Sequence, residues 1–208
     1  MENSRSTTEE RILEAAKKVF HHKGYDGARM QEIADEAGVN KSLVHYYYRN
    51  KDNLFKAVFE DAFSSLIAKL NEIFFSELPF KAKIETFIGY YVIFLSQNSY
   101  LPLFILNGLY KEPEQIRTML AKNQLFPERL IGQIKKQIKN ELNLEIDPFH
   151  IFINILALSV FPVVAKPLIQ NIFGYSNEQL AQFYLERKTV VPEFILNALK
   201  GYENNPSK

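Results

Sequence analysis

Apolar residues recur at three- and four-residue spacing along nearly the whole chain, the period of helices with one buried face. Ile12, Ala15, Ala16, Val19 and Phe20 form the first such stripe. Ahead of it, Thr7 and Glu10 have the Thr-x-x-Glu spacing of a capping box, which predicts the start of a helix there. Gly24 suits the left-handed residue that stops a helix. A short helix is predicted over Met30–Ala37, with Ile33, Ala34 and Ala37 inward and Gly38 as its end. Asn40 is a strong N-cap type, so a second short helix should follow over residues 41–47. Two short helices joined by Ala37-Gly38-Val39-Asn40 are the sequence form of a helix-turn-helix, with Val39 as the apolar residue of the turn.

The next stripe is longer. Leu54, Phe55, Val58, Phe59, Ala62, Phe63, Leu66, Ile67, Leu70 and Phe74 predict one helix over residues 51–75, ended before Pro79. At about six turns it exceeds what a small DNA-binding module needs, so it reads as a connector into a second domain. Further helices are predicted over residues 81–97, 101–109, 114–142, 148–173 and 177–199. Pro127 should bend or split the third of these, and Pro162 and Pro167 should kink the fourth. Pro192 should do the same to the last, which opens on a capping box of Ser176 and Gln179. The expected fold is all-α, with an N-terminal three-helix helix-turn-helix domain over residues 1–50. The connector joins it to a larger helical domain over residues 51–208.

Composition narrows the chemistry. The chain has 208 residues, 47% hydrophobic, which is ample for a core. Lys and Arg number 25 against 24 Asp and Glu, so any nucleic-acid contact must come from a local patch. Between Lys41 and Lys56 that patch exists: Lys41, Arg49, Lys51 and Lys56 face a single acid, Asp52. The absence of cysteine excludes disulfides, thiolate metal sites and a cysteine nucleophile. The N-terminal residues lack a signal-peptide apolar region, and the apolar runs are too short and interrupted to span a bilayer. A cytoplasmic protein without membrane partner, cofactor or metal is expected. No Gly-rich phosphate loop, nucleophile elbow or His-Glu-x-x-His helix is present, so the chain does not read as an enzyme.

Physically, the N-terminal residues of the second short helix would meet base edges in the major groove: Asn40, Lys41, Ser42 and Leu43, the last through a thymine methyl. His45, Tyr46 and Tyr47 could donate to phosphates, and Lys51 could add a cation at the start of the next helix. Tyr48 reads as core. Residues 33–55, from Ile33-Ala34-Asp35-Glu36-Ala37-Gly38-Val39-Asn40 through Tyr46-Tyr47-Tyr48 to Lys51-Asp52-Asn53-Leu54-Phe55, closely resemble the DNA-binding signature of the tetracycline-repressor (TetR) family. The approach through Ile12, Ala15, Ala16, Phe20, Gly24 and Tyr25 matches too. The resemblance covers residues 11–58. It implies further contacts from the start of the preceding helix, at Arg29, Met30 and Gln31. Met30 stands where the family often has Thr, and His45 where it often has Tyr. Such departures should alter the operator read, not abolish binding.

The second domain is aromatic-rich, with 17 Phe and 11 Tyr in the chain as a whole. Tyr90, Tyr91, Phe94, Phe104, Asn107, Tyr110, Asn123, His150, Asn154 and Phe161 are the candidates to line an effector pocket, since such pockets are apolar with a few placed polar groups. The ligand expected is small and apolar or aromatic. Residues 151–164 are hydrophobic nearly all round, and the last helix carries Leu180, Phe183, Tyr184, Val191, Phe194, Ile195 and Leu199. That excess suggests a homodimer interface. The resemblance implies pairing through the last two helices and a palindromic double-stranded DNA operator. The expected function is a sequence-specific transcriptional regulator, a repressor released from DNA by a small hydrophobic effector.

Overall fold

The computed structural model describes residues 2–203, and the side chains of 7–202; among them are eleven helices and no strand. Two compact units result, the first ending at Ser64 and the second beginning at Ser65. The division thus falls inside a helix rather than at residue 50. The physical reason is that Leu54, Phe55, Val58, Phe59 and Ala62, at the start of that helix, are themselves core residues.

The first unit holds α1 (Glu2–Gly27), α2 (Met30–Ala37), α3 (Lys41–Tyr48) and the first part of α4 (Lys51–Phe74). Helix α1 begins upstream of the expected capping box, so Thr7 and Glu10 lie within it and not at its start. Gly24 does break the helix, at φ 68° and ψ 179°, but helical backbone resumes up to Gly27. Ile12, Ala16, Ile33, Ala34, Val44, Leu54, Val58 and Phe59 have essentially no exposed surface. Phe20 packs edge-on against Phe55 at 4.9 Å between centroids, and Tyr25 meets the same ring at 4.9 Å. Burying one such side chain stabilises by roughly 1.5–3 kcal/mol, so this cluster anchors the unit. Lys17 of α1 reaches Asp61 of α4 at 2.7 Å. Burial opposes its charge, but hydrogen bonds to Asp61 and Glu14 outweigh that and hold the ammonium above its usual range.

The second unit holds the rest of α4, then α5 (Phe80–Gln97), α6 (Leu101–Lys111), α7 (Pro113–Lys122), α8 (Pro127–Leu142), α9 (Pro148–Val164), α10 (Lys166–Asn171) and α11 (Asn177–Glu203). Helix α5 is central and packs chiefly on α11, then on α9 and α8. The single helix expected over 114–142 is two. Gln124 turns to φ +57° and Phe126 is extended, because the residue before Pro127 is disfavoured in helical conformation. The helix expected over 148–173 also divides, at Ala165, with Pro167 in the first turn of α10. Among the described residues, no single helix is long and apolar enough to cross a membrane.

Two polar devices inside this unit could not be read from periodicity. Lys83 of α5, 1% exposed, donates from Nζ to the Phe74 carbonyl at 2.9 Å and to Gln137 Oε1 at 3.1 Å. Burial lowers its pKa, against the opposing pull of Glu141 and Glu77. Glu141 in turn accepts from the Phe80 backbone N–H at 2.6 Å, at the start of α5. The α4–α5 turn is thereby tied to α8. The second device repairs a proline. Pro162 lies inside α9 and has no N–H for the Leu158 carbonyl one turn back. Arg187 of α11 donates to that carbonyl from Nη2 instead, and the Tyr184 hydroxyl donates to the Pro162 carbonyl at 3.2 Å.

The repair makes Pro162 and Arg187 energetically coupled. Arg187→Met should cost more stability in the native background than in Pro162→Ala, where a backbone N–H is restored, by about 1 kcal/mol. A double-mutant cycle by urea unfolding measures this, and additivity would refute the coupling.

Candidate nucleic-acid interface

The candidate surface is built from α2, a three-residue turn and α3. Gly38 ends α2 at φ 64° and ψ 39°, with its N–H on the Asp35 carbonyl at 3.1 Å. A β-carbon there would sit in the left-handed region and 3.1 Å from Arg11 Nη2. Arg11 is close for a reason. Its Nη2 donates to the Ala37 carbonyl at 2.5 Å and, at 3.4 Å, to that of Gly38. A side chain of α1 therefore caps the C-terminal end of α2, where carbonyls lack helical partners and a cation is favoured.

Asn40 then starts α3. Its Oδ1 accepts from the Leu43 N–H at 2.8 Å and from the Ser42 hydroxyl at 2.7 Å. Val44 and Tyr48, one turn apart, are buried and fix which face of α3 turns inward. Burial pushes the Tyr48 hydroxyl up to about 12, as a core position requires. Lys41, Ser42, His45, Tyr46 and Arg49 are consequently exposed, and Tyr46 keeps 65% of its surface. Leu43 and Tyr47 are half-buried, with the Tyr46 and Tyr47 rings edge-to-face at 5.3 Å. His45 Nδ1 pairs with the Arg49 carbonyl at 2.8 Å, so its ring orientation is set by the end of its own helix. The structure thus brings Asn40, Lys41, Ser42, Leu43, His45, Tyr46 and Tyr47 onto one element. At the start of α2, Arg29 and Gln31 are exposed and Met30 is half-buried. Gln31 donates to Asp35 Oδ1 at 2.8 Å, and the Arg29 N–H is capped by Glu32 Oε2 at 3.3 Å.

Lys51 is half-buried, and its Nζ is directed at the Tyr25 carbonyl, 2.9 Å away, and the Ala28 carbonyl, 3.3 Å away. The exposed cations of the patch are therefore Lys41, Arg49 and Lys56. Arg11 was not singled out from the sequence, and Asp52 only as the lone acid of the basic patch. Their partners, two backbone carbonyls and the Tyr25 hydroxyl, are brought to them only by tertiary packing.

The candidate effector residues do not converge. Tyr90 and Phe94, stacked at 5.7 Å, line an open groove of about 540 Å³ between α5 and α11, with Thr86, Gly89, Ile93, Gln97, Glu85 and Lys188. Tyr91 is in the core and stacks on Phe87 at 5.2 Å. Phe104 is half-buried, and Asn123 donates to the Met119 carbonyl at 2.8 Å. Asn107, Tyr110, His150, Asn154 and Phe161 are exposed. Helical spacing located them on helices but could not say that these faces turn away from the core.

Residues 12–58 match the model of the bacterial regulatory proteins, tetR family, and that span coincides with the helix-turn-helix just described. Over this segment the chain is similar to the TetR family. Two curated relatives align over this segment: the HTH-type transcriptional repressor SCO4008 of Streptomyces coelicolor, 49% identical over 53 residues, and NicS of Pseudomonas putida, 38% over 58. These matches cover 26% and 28% of the chain, and 28% and 27% of the two repressors, so the chain spans little more than a quarter of either. Over the whole length the likeness is one of fold. The chain superposes on FadR of Bacillus subtilis, solved in complex with stearoyl-CoA, with a TM-score of 0.60 at 18% identity, covering 89% of this chain and 96% of that one.

Gly38→Ala should destabilise the first unit by about 1–2 kcal/mol through its left-handed backbone alone, with displacement of Arg11 adding to it. Asn40→Ala should cost about 0.5–2 kcal/mol through the lost cap. Urea unfolding followed by far-UV circular dichroism reads both, and a neutral Gly38→Ala would refute the turn's constraint.

Proposed function

We propose that this chain is a homodimeric, sequence-specific transcriptional repressor that leaves its operator when a small hydrophobic effector binds the second unit. The observation that carries the DNA-binding part is α3. Its inward face is pinned by Val44 and Tyr48, and its Asn40-capped start presents Lys41 and Ser42 to solvent. Such an end can enter a major groove and meet base edges. The names of the relatives NicS and SCO4008, both transcriptional repressors, favour repression. In this reading Lys41, Ser42 and Leu43 meet bases. Arg29, Gln31, His45, Tyr46 and Tyr47 hold phosphates, and Met30 contributes only apolar contact.

The dimer is supported by apolar surface on the last helices. Phe161 of α9 is 63% exposed and Phe194 of α11 is 64% exposed, with Ile172 and Phe173 exposed between these helices. Surface of that kind is covered by a partner in stable proteins, and a second copy gives the two-fold symmetry of a palindromic operator. The effector part rests on the aromatic groove of Tyr90 and Phe94, which suits an apolar or aromatic molecule. Stearoyl-CoA, bound by FadR, is a sensible first probe.

Fluorescence anisotropy against duplexes from the DNA flanking the chain's own gene tests the reading. Sequence-preferring binding in the nanomolar range that weakens steeply with salt is expected, and its absence would sink the proposal. Lys41→Ala and Tyr46→Ala should each weaken binding by about tenfold without loss of fold, since each removes one phosphate or base contact of about 1–3 kcal/mol. Light scattering should find a dimer that Phe194→Glu converts to monomer; an unchanged mass would remove α11 from the interface.

A further inference from the structure

The last residues of α1 and the two that join it to α2 decide where Arg29, Met30 and Gln31 stand, and they have few apolar anchors of their own. Ala28 is buried, but Asp26, Gly27 and Arg29 are exposed. What holds this junction comes from the start of α4. Lys51 Nζ donates to the Tyr25 carbonyl at 2.9 Å and to the Ala28 carbonyl at 3.3 Å, and lies 4.5 Å from the centre of the Tyr25 ring. The next residue, Asp52, accepts a hydrogen bond from the Tyr25 hydroxyl. Asn50 caps the same helix, its Oδ1 accepting from the Asn53 N–H at 2.8 Å. Two consecutive residues of α4 thus grip both ends of one tyrosine, at its backbone carbonyl and its phenol.

We propose that Lys51 and Asp52 form a clamp that sets the position of the α2 N-terminus for DNA, with Lys51 acting as a positioning residue. The chemistry favours this assignment. An ammonium donating to two carbonyls and lying over an aromatic face is held on its inner side by three electron-rich groups. Each of these bonds ties the start of α4 to a backbone carbonyl at the α1–α2 junction, so loss of the ammonium releases that junction. The acid beside it is also engaged, since Asp52 accepts from the Tyr25 hydroxyl. The clamp acts on DNA through Arg29, the N-cap of α2, whose carbonyl accepts the Ile33 N–H at 3.2 Å and so fixes the direction of the first turn. The DNA-binding consequence rests on the function proposed above, whereas the clamp itself does not.

Three single variants separate positioning from charge. Lys51→Met removes a cation, Tyr25→Phe leaves the charge unchanged, and Asp52→Ala removes an anion. If the clamp positions α2, all three should weaken operator binding by a similar factor, about fivefold or more, although simple electrostatics predicts tighter binding for Asp52→Ala. Hydrogen–deuterium exchange of the full-length protein without DNA supplies the independent readout. Peptides covering residues 25–33 should exchange faster in all three variants, while those covering α3 keep their protection. The proposal is overturned if exchange over 25–33 is unchanged. It is equally overturned if only Lys51→Met weakens binding and lowers the salt slope by about 0.9, the signature of one lost phosphate contact. If the unaltered protein binds no DNA, the functional reading and the positioning role fall together, and the exchange data still decide whether the clamp exists.

Discussion

The α2–α3 turn depends on a left-handed residue at Gly38 held against a guanidinium. Gly38 lets the chain reverse in three residues, and Arg11 from α1 neutralises the carbonyl end of α2 at the same point. The two are mutually exclusive with bulk, because a β-carbon at Gly38 would press on Arg11 Nη2 at 3.1 Å. With the turn fixed, Asn40 can cap α3 from the correct side, and Val44 and Tyr48 can occupy the core together. Every solvent-facing residue of the candidate interface on α3 takes its direction from those two buried ones. The interface is therefore a by-product of core packing, which is how a short helix of eight residues acquires a defined orientation.

Backbone carbonyls are the recurring problem in this molecule, and long cationic side chains are the recurring answer. Arg11 serves the end of α2, Lys51 the α1–α2 junction, Lys83 the end of α4, and Arg187 the carbonyl stranded by Pro162. In each case the donor comes from another helix, so one bond both satisfies a lone carbonyl and ties two elements together. The hydrogen bonds at Lys83 and Arg187 come with burial that disfavours the charge, and both groups are held below their usual pKa. Such groups persist because removing the donor alone would leave an unsatisfied carbonyl in the interior.

The second unit organises itself around α5. Phe80, Ile84 and Ile88 have no exposed surface, and α5 packs chiefly on α11. The aromatic residues that could serve a ligand are divided between this core and the open groove of Tyr90 and Phe94. Apolar side chains on α9, α10 and α11 remain exposed, among them Phe161, Leu168 and Phe194.

Helical periodicity determined most of the elements, since an apolar stripe and a cap are local features. Met30–Ala37 and the cap at Asn40 were legible for that reason, as was Tyr48 in the core. So was the Ser176–Gln179 capping box, in which Gln179 Oε1 accepts from the Ser176 N–H at 2.8 Å. The basic run from Lys41 to Lys56 was equally plain. Tertiary structure decided what each long side chain does. No local pattern could reveal that Lys51 turns inward to two carbonyls, that Lys83 is buried, or that Arg187 mends the break at Pro162. Nor could spacing tell the buried Tyr91 from the exposed Tyr110, because amphipathic helices with several apolar faces do not say which face a neighbour will cover. The helix-turn-helix was written in the sequence because its constraints are local. The clamps that hold it, and the fate of the aromatic side chains, depend on residues distant in the chain that only folding brings together.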